Sequence, residues 1–170
     1  MSDVNQTQSY LEQPSTDSKL PGGLNALTIL TFIGSGLGFL SACWNFFNAK
    51  SGIDKMEDMI NSGKVDQLPS FMKKMFSPEM LEMARKAYEN RVPIFLINLV
   101  AIALCVYGAI QMRKLKSQGY FLYVIGELLP FVPILLFVGV GTLTNLSGII
   151  GIGIAVLFIL LYTMQRKHLK

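Results

Sequence analysis

The stretch YFLYVIGELLPFVPILLFV, residues 120–138, holds one acidic residue, Glu127, in a run otherwise free of charge. A hydrocarbon core about 30 Å thick takes about 20 apolar residues in helical form, so this run crosses a bilayer with a carboxyl group inside it. Three further runs meet the same requirement. With the quoted stretch extended to its apolar limits, the spans are predicted at residues 24–47, 93–112, 120–140 and 143–164. The runs are continuous and do not alternate apolar with polar at period two, which indicates helices over barrel strands. The expected fold is therefore all-α: an integral membrane four-helix bundle, with a short-helix extramembrane loop between spans 1 and 2.

Composition agrees. Of 170 residues, 51% are hydrophobic and only 15% charged, and the mean hydropathy is positive; an ordinary soluble domain is less apolar. The net charge of +4 does not indicate nucleic acid, because the bases gather at the ends of the spans and no basic stripe carries interleaved aromatics. Residues 1–22 are polar and rich in Ser, Gln and Thr, so they read as a disordered tail. Residues 23–170 then form a single membrane domain. A cleaved signal peptide begins with basic residues and reaches its apolar core sooner, so the first span reads as a retained anchor.

Charge sets the expected topology. The connection between spans 2 and 3 carries Arg113, Lys114 and Lys116, the C-terminal segment carries Arg166, Lys167 and Lys170, and the connection between spans 3 and 4 carries no charge. The positive-inside rule then favours both termini on the inner side. Lys50, Lys55 and Arg91 argue the other way, but they belong to a long loop whose acids nearly balance its bases.

That loop, residues 48–92, is patterned. Ile53, Met56 and Ile60 recur at helical spacing in IDKMEDMIN, Phe71, Met72, Met75 and Phe76 cluster in SFMKKMF, and SPEMLEMARKAYEN opens with a helix-start signal. Ser77 is the expected N-cap, Pro78 the first helical residue, and Glu79 sits in the first turn. Two or three short amphipathic helices lying on the membrane or capping the bundle are predicted. Met56 with Met59, Met72 with Met75 and Met80 with Met83 make three M-x-x-M pairs. Soft thioethers suit Cu(I), but the same spacing arises on any amphipathic face, and no His or Cys joins them. No metal ligand and no cofactor is assigned.

Within the spans, Gly34 with Gly38 and Ser147 with Gly151 form small-x-x-x-small faces that let helices approach closely. Glu127 lies about seven residues, or ~10 Å, below the basic connection. An ionised carboxylate at that depth costs several kcal/mol unless it is partnered, protonated or wet. Thr31, Tyr107 and Tyr162 stand at similar depth and complete a candidate intramembrane polar site, with Arg113 or Lys116 within reach by snorkelling. Cys43 and Cys105 differ in depth by ~12 Å if their spans form an antiparallel hairpin, so they read as apolar filler and not as a disulfide.

Residues 112–130, MRKLKSQGYFLYVIGELLP, resemble the basic-loop-plus-span pattern of small, uncharacterised four-span bacterial integral membrane proteins. The resemblance implies a bacterial inner membrane and no particular activity. No catalytic constellation is present. The expected function is non-enzymatic: an accessory or scaffold subunit of a larger membrane complex, whose partners are the bilayer and a membrane protein or a second copy of the chain. A small transporter or channel using Glu127 as its cation or proton site is the alternative, and metal handling by the methionine pairs a lesser one.

Overall fold

The computed structural model describes residues 20–170; most of the polar tail expected over 1–22 lies outside them. Among the described residues all regular structure is helical, and four helical segments are long and apolar enough to cross a membrane. The chain is a multi-pass membrane protein.

Helix α1, Gly22–Asn61, is far longer than its predicted span. Forty residues extend about 60 Å, twice the hydrocarbon thickness. The chain leaves the apolar region near Lys50, and the breaker pair Ser51–Gly52 follows at once, yet the helix runs on through it. The stripe Ala42, Phe46, Ala49, Ile53, Met56 simply continues one face of the same helix. IDKMEDMIN is thus the outer end of α1 and not a separate surface helix. Gly63, at φ 68°, ends the run just beyond Ser62.

The rest of the loop holds the four-residue α2 (Ser70–Lys73) and α3 (Pro78–Glu89). Ser77 caps α3 as predicted: its Oγ accepts from the Met80 amide at 3.3 Å. Arg85 grips Glu57 of α1 at 2.6 Å, an exposed ion pair worth at most about 1 kcal/mol. Asn90 then leads directly into α4, Arg91–Arg113.

Helix α4 is the centre of the bundle, packing along both α1 and α5 (Gln118–Leu128). Its contact with α5 is close because glycines face backbone. A Cβ on Gly119 would stand 2.5 Å from the Gly108 carbonyl oxygen, and one on Gly126 would stand 2.8 Å from Cys105 Sγ. These are not the glycines singled out from the sequence. Gly34 and Gly151 have open space where a Cβ would go, Gly38 meets only Ile102 at 4.0 Å, and Ser147 is exposed. The small-x-x-x-small faces of α1 and the fourth span are therefore not used for close helix packing within the chain.

The tight connection 114–117 is a Schellman turn: the Lys116 amide reaches Gln111 O at 3.0 Å and the Leu115 amide reaches Met112 O at 2.9 Å. Leu115 takes the left-handed position, φ 57°, where glycine is usual. Its side chain packs on the core in return. The C-terminal segment zips onto this turn, Ser117 N to Lys170 O at 2.8 Å and Lys170 N to Leu115 O at 2.7 Å.

Pro130 and Pro133 interrupt the third span, since neither can donate to the helical ladder. Beyond α5 come α6 (Phe131–Pro133) and a π turn, Ile134–Val138, closed by Gly139 N to Ile134 O at 2.8 Å. The short α7, Gly141–Thr144, follows, and Asn145 caps α8, Leu146–Gln165, by accepting the Gly148 amide at 2.8 Å. Helix α8 meets the bundle chiefly at its C-terminal half. Ala155 and Tyr162 are its only buried residues, and most of residues 146–154 are exposed.

Candidate functional site

The core sits at the basic end of the bundle. Leu24, Leu27, Met112, Tyr123 and Tyr162 pack there as one layer, and the Tyr123 and Tyr162 rings meet at 4.4 Å between centres, tilted by 50°. Thr31 and Tyr162 hydrogen-bond at 2.8 Å and are both buried. Arg113 does not snorkel down to Glu127. It turns across the end of α1 and donates to Asn25 Oδ1 at 2.9 Å and Thr28 Oγ1 at 3.0 Å. A layer of packed rings, aliphatic chains and hydrogen bonds thus closes the bundle on this side.

Beyond that layer lies a cavity of about 260 Å³ bordered by all four spans. Glu127 lies in its wall with Thr31, Ser35, Cys105 and Tyr123. Cys105 Sγ approaches Glu127 Oε2 at 3.7 Å, and Tyr123 lies one turn before Glu127 on the same face of α5. Gly126 allows this by bringing α5 against Ala101 and Cys105. The rim is made by Leu30 and Gly34 of α1 and Ile154 of α8, all exposed, so the cavity is a groove opening sideways between those helices at mid-membrane depth.

Of the four residues expected to form the polar site, Glu127 and Thr31 line the groove and Tyr162 closes it through Thr31. Tyr107 does not take part: it faces outward, half exposed, and accepts from Gln111 Nε2 at 2.7 Å. Cys105 is not filler; its thiol stands beside the Glu127 carboxyl. The depth count that selected Thr31 also reaches Cys105, eight residues from Arg113. What the sequence does not carry is the rotation of α4 that aims the thiol at the carboxyl.

Gly34 and Gly38 line the same groove. The basic residues Lys114, Lys116, Arg166 and Lys167 are exposed around the basic end, with Arg166 over the rings of Tyr120 and Phe121 at 5.5 and 5.2 Å. The methionine pairs disperse. Met83 accepts from Thr142 Oγ1 at 3.6 Å and Met80 from Asn145 Nδ2 at 3.9 Å, so this pair docks α3 on the uncharged turn between spans 3 and 4. Met56 lies between α1 and α3, and Met75 is exposed.

No protein-family model, curated protein or solved structure matches the chain.

Proposed function

We propose that the protein is a non-enzymatic accessory or scaffold subunit of a bacterial inner-membrane complex, and that the Glu127 groove is where a transmembrane helix of its partner seats. The observation that carries this reading is the direction in which the groove opens. Its basic end is closed by the Thr31–Tyr162 layer, while its exposed rim residues face the bilayer. An occupant arriving sideways through lipid is a membrane-embedded one. Glycine walls suit a helix, because small residues let backbones approach, and a carboxyl at this depth rewards a hydrogen-bond donor or cation on the arriving face. The short basic segments favour both termini on the cytoplasmic side. Affinity purification of tagged protein from native membranes, with mass spectrometry, tests the reading. A defined partner set retained by the wild type and depleted for Glu127→Gln supports it; recovery of the chain alone from both counts against it.

A transporter or channel is the second reading, favoured by the presence of a carboxyl, a thiol and hydroxyls together in one mid-membrane cavity. It needs an aqueous path through the Thr31–Tyr162 layer. Proton or cation flux in liposomes that Glu127→Gln abolishes would establish it over the first.

A further inference from the structure

A second, larger cavity of about 440 Å³ lies at the opposite end of the bundle, between α1, α3 and the start of α4. Its size falls within the ~300–1,000 Å³ range of ligand sites. Three features give it a chemistry. It straddles the membrane boundary: Ala42, Phe46, Ile94 and Phe95 form an apolar floor within the spans, and Ile53, Ala84 and Ala87 a roof outside them. Arg91 stands at the boundary, its guanidinium 4.4 Å from the Tyr88 ring centre and 5.8 Å from that of Phe46. Asn45 and Asn98 line the wall one to two turns deeper.

Arg91 differs from its neighbours on α3. Arg85 is paired with Glu57 and Lys86 with Glu82. Among the described residues no carboxylate lies within ion-pair distance of Arg91. A guanidinium held by two aromatic faces at the mouth of an apolar cavity is set for an oxyanion, and its planar fork matches phosphate. The cavity below it continues between the spans, and Asn45 and Asn98 in its wall offer hydrogen-bond donors beneath the guanidinium.

We infer that this cavity binds one anionic phospholipid, with its headgroup phosphate on Arg91 and an acyl chain along Phe46, Ile94 and Phe95. The lipid would tie α3, and through it the long arm of α1, to the membrane surface. The phosphate is common to both lipid classes, but a zwitterionic headgroup also brings an ammonium that the Arg91 cation repels, while Glu57 and Glu82 are already paired with Arg85 and Lys86. This favours a lipid of net negative charge, and the apolar floor favours a lipid over free phosphate.

The test uses full-length protein stripped of lipid in detergent, titrated with phosphatidylglycerol, phosphatidylcholine or inorganic phosphate and read by native mass spectrometry. One phosphatidylglycerol per chain is expected at concentrations where neither of the others is retained. Arg91→Gln should weaken it about tenfold or more, the worth of a charge-assisted contact. Gly52→Leu covers the case in which Arg91→Gln fails to fold. Gly52 lines the cavity with nothing within 4 Å of a Cβ, so leucine fills the space, leaves Arg91 in place and should also displace the lipid. Equal retention of phosphatidylcholine, retention of free phosphate, or unchanged phosphatidylglycerol binding in both variants would overturn the inference.

Discussion

Thr31 of α1 and Tyr162 of α8 share a buried 2.8 Å hydrogen bond, which ties the fourth span to the first across the basic end of the groove. Replacing Thr31 by Val keeps the shape and leaves the Tyr162 hydroxyl without its partner. Interhelical hydrogen bonds in membranes average about 0.6 kcal/mol, with a maximum near 1.7. Thr31→Val should therefore cost about 1 kcal/mol in a reversible unfolding titration in mixed micelles. No loss would mean that the layer does not hold α8.

The glycines divide into two classes with opposite expected responses. Gly119→Ala places a methyl 2.5 Å from a backbone oxygen and must part α4 from α5, an overpacking cost of about 1–3 kcal/mol or more. Gly151→Ala meets nothing within 4 Å and should leave the monomer's stability unchanged or slightly raised. Thermal unfolding of the two variants in detergent checks this, and equal losses would refute the α4–α5 packing described.

At Leu115 the usual ranking of small residues should invert. Alanine and glycine both remove the packed side chain, but only alanine retains a Cβ at φ 57°, at a cost of about 1–2 kcal/mol. Leu115→Gly is expected to be more stable than Leu115→Ala by about 1 kcal/mol. The reverse order in the same unfolding assay would show that the turn relaxes out of the left-handed region.

Helix α3 carries a pH-dependent contribution outside the membrane. The Lys86 ammonium, 2.8 Å away, holds the Glu82 carboxyl below the ordinary carboxylate range. A folded-state value below the unfolded one means that the pair stabilises α3 at neutral pH. The effect fades as pH falls through the ordinary carboxylate range and below it. Amide exchange in α3 should be faster for Glu82→Gln than for wild type at neutral pH, and the difference should vanish in acid. A difference that persists in acid would contradict the assignment.

The four spans are legible because apolar runs of sufficient length, even the third with its single Glu127, have one outcome between water and lipid. Ser77 and Pro78 announce the start of α3, since a cap and a first-turn proline act through the local backbone alone. The extent of α1 was hidden for a physical reason: the fall in hydropathy at Lys50 marks where the chain leaves the bilayer, not where the helix ends. Helix rotation was hidden as well. Residue spacing identifies a small-residue face such as Gly34–Gly38 but not what it meets, and depth alone ranks Tyr107 beside Thr31 although only Thr31 turns inward.

The groove's occupant can be read most directly by placing a photo-crosslinking residue at Ile154, on the rim, and another at Leu136, exposed on the third span. In native membranes a discrete protein adduct is expected from position 154, lost when Glu127→Gln or Gly34→Leu is added, and only lipid adducts from position 136. Lipid adducts alone from both positions, or a protein adduct from 154 that neither change diminishes, would contradict a partner helix seated on Glu127.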